Sequence, residues 1–166
     1  MMDYFLNIYS IVCIRIVFVW VKRNIALCFT FSGTSLFTVT GSVSIPGTSY
    51  IRFPFVFLNE GGDYNASSGV FTCRIPGQYW FAATLSKIVG NNIPYVICYV
   101  KINGSNMISI YADPNADEPA GYSMSASAGF HLKLGDRVQV GGCHHEGYFE
   151  NNARTFFSGI LIKPDV

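Results

Sequence analysis

Phe71-Thr72-Cys73-Arg74-Ile75-Pro76-Gly77-Gln78-Tyr79-Trp80-Phe81 decides the fold class. Two aromatic-rich stretches flank a Pro-Gly corner. Proline fixes one backbone torsion and glycine frees the next, so Pro76-Gly77 turns the chain sharply between two extended segments. Beyond the corner, Tyr79, Phe81, Ala83 and Leu85 alternate with Gln78, Trp80, Ala82 and Thr84. That is the period of a strand.

Short strands continue on both sides of this corner. Ile51 to Phe57 reads as a strand with its aromatics on one face, kept to a sheet edge or a bulge by Pro54. Asn59 to Asn65 is a turn cluster, and Gly69 to Arg74 a short strand. Tyr95 to Ile102 and Met107 to Tyr111 flank Asn103-Gly104, a strong local hairpin signal. Tyr122 to Lys133 alternates apolar and polar residues. Leu134-Gly135-Asp136 is a turn, Arg137 to Cys143 a strand, and Phe156 to Lys163 the last strand. No stretch of the body has helical periodicity. Eight to ten strands with frequent turns predict a sandwich or jelly roll.

Two strands are apolar on both faces. Phe156, Ile160 and Ile162 oppose Phe157 and Leu161; Ile97 and Tyr99 oppose Val96, Cys98 and Val100. A two-layer sandwich has one core, so a doubly apolar sheet needs a second partner, and another subunit is the economical one.

The 166-residue chain is 16% aromatic and 13% charged, with a net charge of +1. Such a chain can bury a full core and is not disordered. Its Lys and Arg are scattered, with no basic stripe for a phosphate backbone, which excludes nucleic acid as a partner. The five cysteines include no Cys-x-x-Cys pair, so no zinc or redox site of that spacing exists. Cys73, Cys98 and Cys143 in the body read first as buried free thiols. A single disulfide leaving one thiol over is the alternative.

Residues 1–28 stand apart from the domain at 29–166. Ile8 to Val21 is apolar except for Ser10 and Arg15. That is short for a membrane span and about right for a signal-peptide core. Only Asp3 precedes the run, and Lys22-Arg23 follows it, the reverse of a good signal. Three readings stand: a degenerate signal peptide, a membrane anchor burdened by Arg15, or a wrongly joined first exon.

The body also resembles a known family. Phe31-Ser32, Phe57-Leu58-Asn59, Ser68-Gly69-Val70-Phe71-Thr72-Cys73, Pro76-Gly77-Gln78-Tyr79-Trp80-Phe81, Leu134-Gly135-Asp136-Arg137-Val138 and Thr155-Phe156-Phe157-Ser158-Gly159-Ile160-Leu161 occur in this order. Together they resemble the globular head of the complement component 1q (C1q) family over about residues 29–165. The resemblance implies an all-β, ten-stranded jelly-roll sandwich of the complement C1q/tumour necrosis factor-like type. It further implies a secreted homotrimer without catalysis. Such a module binds a surface glycan, protein or microbial ligand in innate immunity, as a pattern-recognition or lectin-like protein. The chain shows no collagen-like Gly-x-y stretch and looks like a head-only member. A receptor-clustering signalling ligand of the tumour necrosis factor or cerebellin kind is the alternative.

The candidate sites follow from the loops. His144, His145, Glu146, Tyr148, Phe149 and Arg154 cluster in sequence between the last two strands. Tyrosine offers large contact area at low entropy cost, so these six are the expected ligand contacts. Neighbouring histidines on a strand point to opposite faces, which argues against a shared metal ion. Asp113, Asn115, Asp117 and Glu118 alternate oxygen ligands as calcium requires. Pro114 and Pro119 stiffen that loop, and no glycine lies between the acids. Calcium at Asp113, Asp117 and Glu118 is the one cofactor the residues suggest. Tyr79, Trp80, Phe81, Phe130, Phe156, Phe157 and Leu161 are assigned to the core or trimer interface, and Phe157→Asp is expected to block trimer formation. Asn65-Ala66-Ser67 and Asn103-Gly104-Ser105 are glycosylation acceptors by pattern. No Gly-x-Ser-x-Gly turn or phosphate loop is present, so no catalytic residue is assigned. Ser158-Gly159 reads as close packing within an apolar strand.

Overall fold

The computed structural model describes residues 33–45, 48–89, 95–112, 121–144 and 149–165. These build the unit Thr34–Val166. Its strands are β1 (Leu36–Thr40), β2 (Val43–Ser44), β3 (Ile51–Arg52), β4 (Phe55–Glu60), β5 (Tyr64–Asn65), β6 (Val70–Thr72), β7 (Gly77–Ser86), β8 (Val96–Ile102), β9 (Ser105–Ala112), β10 (Ser123–Leu132), β11 (Arg137–His144) and β12 (Phe156–Pro164). One five-stranded sheet runs β10-β7-β12-β1-β4 and a second runs β5-β6-β11-β8-β9. β2 and β3 pair as a small hairpin beside them. Every pairing is antiparallel, and the fold is an all-β jelly roll.

The strand period sorts side chains between the sheets. On β7, Tyr79, Phe81, Ala83 and Leu85 are buried, whereas Gln78 and Trp80 are exposed. The core they enter is aromatic. Phe37 stacks on Tyr64 at 5.1 Å and Phe71 at 5.3 Å, and meets Phe157 edge-on at 5.0 Å. Such ring pairs contribute beyond their buried area. Tyr64 brings a hydroxyl into this core. It donates to the Phe53 carbonyl and accepts from the Phe53 amide, and burial pushes its pKa up to about 12.

Two glycines are set by space. A Cβ on Gly77 would lie 2.3 Å from the Lys163 carbonyl oxygen, because the Pro76-Gly77 corner brings β7 directly against the end of β12. A Cβ on Gly159 would lie 2.5 Å from the Phe37 ring and 2.6 Å from that of Phe81. The expected close packing at Ser158-Gly159 is therefore seen. The β8–β9 hairpin turns at Asn103-Gly104, with φ of 50° and 84°.

Three expectations are corrected. Ile51 to Phe57 is not one strand: it breaks at Phe53-Pro54, so Phe53 is buried while Phe55 and Phe57 face water. Proline removes the ladder donor there. Cys98 and Cys143 are not free thiols but a disulfide. Both point inward from neighbouring strands β8 and β11, which places the sulfurs together. Cys73 stays reduced and buried, and burial pushes its thiol pKa up. Finally, Phe157, left between core and interface, lies at the centre of the core with no exposure, so Phe157→Asp acts on folding rather than on assembly alone.

Candidate functional site

The residues that β7, β12 and β1 turn away from the core form a patterned surface. Register fixes its rows. Leu36, Ile160, Trp80 and Gly129 lie across β1, β12, β7 and β10. The next row holds Thr38, Ser158, Ala82 and Ser127, all small. The row beyond holds Thr40, Phe156, Thr84 and Ser125. The small Thr38, Ser158 and Ala82 beside the large Leu36, Ile160 and Trp80 leave a hollow of about 150 Å³, lined by these six and Gly159.

The rim of that hollow is apolar and wet. Trp80 is 45% exposed and Ile160 43%. On edge strand β4, Glu60 and Leu58 lie opposite Leu36 and Thr38, and the exposed Phe55 lies opposite Thr40. Toward β10 the same face becomes polar: Thr84 and Ser125 hydroxyls pair at 2.8 Å, and Ser86 and Ser123 at 2.7 Å. An exposed apolar patch with a polar border is the kind of surface that takes a partner.

The assigned core or interface residues now divide. Tyr79, Phe81 and Phe157 are core, Phe130 and Leu161 pack against it from partly buried positions, and Phe156 lies on the outward face. Trp80, assigned to the core or interface, stands outside the core, joined by Ile160 and Leu36, which the assignment left out. Their signal was present in the alternation, since Trp80 sits between two inward residues and must point the other way.

The six expected ligand contacts do not form one cluster among the described residues. His145, Glu146 and Tyr148 lie outside those residues, as does the acidic stretch Asp113, Asn115, Asp117 and Glu118. Phe149 is corrected: it is 4% exposed, bridges to Lys87 and belongs to the core. An aromatic ring in a polar loop was drawn inward because the loop returns to the end of β7. His144 is exposed at the end of β11 with its ring 5.8 Å from that of Tyr95. Arg154 is exposed and pairs with Glu150 at 3.5 Å. No group of three or more metal-ligating side chains occurs among the described residues.

The second sheet offers its own outward surface. Ile97, Tyr99 and Lys101 alternate with the buried Val96, Cys98 and Val100. Tyr50 lies across Gly141, whose Cβ would fall 1.9 Å from the ring. The Lys101 ammonium sits 5.4 Å above the Tyr50 ring, within cation–π range. Tyr111 and His144 flank Ile97 in register. The Cys98–Cys143 disulfide ties β8 to β11 beneath these residues, where the ladder between the two strands is irregular.

A family model described as the C1q domain matches residues 36–162, which spans the jelly roll from β1 into β12. The chain belongs to the C1q domain family. Mouse (Mus musculus) complement C1q tumor necrosis factor-related protein 2 is 31% identical over 145 residues, covering 83% of this chain and 46% of that protein. A complement C1q subcomponent of the rat (Rattus norvegicus) is 28% identical over 136 residues, covering 79% and 51%. The chain thus spans about half the length of these curated relatives. Among solved structures, the globular domain of zebrafish complement 1qA superposes with a TM-score of 0.61 at 19% identity, over 79% of this chain and 99% of that one. Murine APRIL superposes with a TM-score of 0.59 at 13% identity, over 78% and 100%. The C1q domain here therefore has the complement C1q/tumour necrosis factor-like jelly-roll fold. Among the described residues no helix is long and apolar enough to cross a membrane.

Proposed function

We propose that the chain is a secreted, non-catalytic recognition module that assembles as a homotrimer and binds a surface glycan, protein or microbial ligand. One observation carries this. The sandwich already has a filled aromatic core, yet Trp80, Ile160 and Leu36 ring a second apolar surface on the back of one sheet. Burying apolar area drives association, and membership of the C1q domain family makes copies of the same chain the fitting cover. Assembly would hold three weak ligand sites at fixed spacing, so that avidity replaces single-site affinity. The outward surface of the second sheet, with Tyr50, Tyr99, Tyr111 and His144, stays open in such an arrangement.

Light scattering on the purified chain tests the assembly. A trimer at micromolar concentration is expected, and a monomer there sinks the proposal. A glycan and bacterial-surface binding screen run beside a receptor pull-down separates a lectin-like role from the receptor-clustering alternative, which rests on relatives whose names join C1q to tumour necrosis factor.

A further inference from the structure

The two glycosylation patterns are not equivalent once folded, and we propose that Asn65 is the glycan-bearing residue of this domain while Asn103 stays bare. The proposal rests on the secretory route proposed above. Asn65 ends β5, the edge strand of the second sheet, and opens the turn into β6. Its side chain is exposed. Its Oδ1 accepts from the Ser67 amide at 2.9 Å, the Ser67 hydroxyl at 2.6 Å and the Ser68 amide at 3.1 Å. All three bonds use the carbonyl oxygen. Among the described residues the amide nitrogen donates to nothing, so it is left to water. A side-chain turn of this type fixes the asparagine while leaving its nitrogen outward.

Asn103 spends both ends of its amide on the fold. Its Nδ2 donates to Asp136 Oδ1 at 2.8 Å, and its Oδ1 accepts from the Arg137 amide at 2.9 Å. Its backbone amide donates to the Arg137 carbonyl at 2.9 Å. These bonds tie the β8–β9 turn to the turn before β11. A sugar on Nδ2 would replace one of two hydrogens on the same nitrogen that bonds Asp136.

The chemistry is a group transfer with no change of oxidation state. A polyprenyl-diphosphate-linked oligosaccharide is the donor. The bond from its anomeric carbon to the diphosphate oxygen breaks as the bond from that carbon to Asn65 Nδ2 forms. The amide gives up one proton, and the polyprenyl diphosphate leaves with the electron pair. A glycan there lies at edge strand β5, whose Tyr64 amide and carbonyl already pair with the Asn59 side chain. It also lies on the sheet that does not carry the Trp80–Ile160 surface, so it leaves assembly unobstructed.

The full chain is expressed in a eukaryotic secretory host in two forms, with its own N terminus and with a heterologous secretion signal placed ahead of it. Enzymatic removal of N-glycans in heavy-oxygen water, followed by peptide mapping, reads each site. Heavy oxygen at position 65, and at position 103 no more than an enzyme-free control takes up by Asn-Gly deamidation, is the expected result in the signal-bearing form. Asn65→Gln and Ser67→Ala should each remove the mass of one glycan, and Ser67→Thr should keep it. Asn103→Gln should leave glycan mass unchanged. An exported signal-bearing chain with an unmodified Asn65, or with sugar on Asn103, overturns the assignment. Failure of only the native N terminus to direct export counts against the secretion proposal while the assignment stands on the other form.

Discussion

Phe157 and Ile160 lie three residues apart on β12 and face opposite ways, so substituting each separates folding from assembly. Phe157 has no exposure and meets the rings of Phe37, Phe53, Tyr64 and Phe81 at 5.0, 5.7, 6.3 and 6.0 Å. Truncating such a residue to alanine costs about 3–5 kcal/mol, against a total stability of about 5–15 kcal/mol for a domain. At a few degrees per kcal/mol for a domain of this size, Phe157→Ala should lower Tm by roughly 10–20 °C. Ile160 instead keeps 43% of its surface in water. Full burial of an isoleucine side chain contributes about 1.5–3 kcal/mol, so covering that remainder is worth roughly 1 kcal/mol per copy and roughly 3 kcal/mol for three copies. That alone weakens assembly by about 100-fold, since each 1.4 kcal/mol is tenfold, and Ile160→Asp adds the cost of burying a carboxylate. Light scattering at micromolar concentration and circular dichroism melting read the two effects. Ile160→Asp should be a folded monomer whose Tm matches that of dilute wild type. An intact trimer in that variant, or an unchanged Tm in Phe157→Ala, refutes the division of β12 into a core face and an assembly face.

Three further outcomes follow from the same structure. The chain has two tryptophans, so in a Trp20→Phe background Trp80 fluorescence should shift to the red on dilution or in Ile160→Asp, and a concentration-independent spectrum would count against burial of Trp80 on assembly. The Cys98–Cys143 disulfide closes a 45-residue separation, so replacing both cysteines with alanine should cost about 2–4 kcal/mol in a urea titration; an unaltered midpoint would show that the bond does not constrain the unfolded chain. The Tyr64 pKa is raised from 10.0 to about 12 by burial, so its contribution is complete below pH 10 and is lost as pH rises toward about 12. Tyr64→Phe should flatten that part of the alkaline stability profile, and an identical profile in the variant would assign the loss to other groups.

How far the sequence carried depends on which physical rule a residue obeyed. The corner at Pro76-Gly77 and the alternation after it were legible because backbone torsion and a two-residue period are local properties. The family was legible because six short patterns fell in order across the body. Phe149 was misread because its polar neighbours suggested a surface loop, whereas its burial depends on a bridge to Lys87 from a distant strand. The Cys98–Cys143 pairing was equally hidden: it follows from β8 and β11 being neighbours, which no local pattern reveals. Phe157 is the instructive case. The sequence divided β12 into a face with Phe156, Ile160 and Ile162 and a face with Phe157 and Leu161, but left Phe157 between core and interface. Phenylalanine and isoleucine are equally apolar, so type cannot decide. Register does: Phe157 pairs with Ala83 and Val39, both inward, while Ile160 pairs with Trp80 and Leu36. A strand's outward face is therefore set by its neighbours' parity. The same parity that fills the core with Tyr79 and Phe81 obliges Trp80 to stand outside it, available to a second copy.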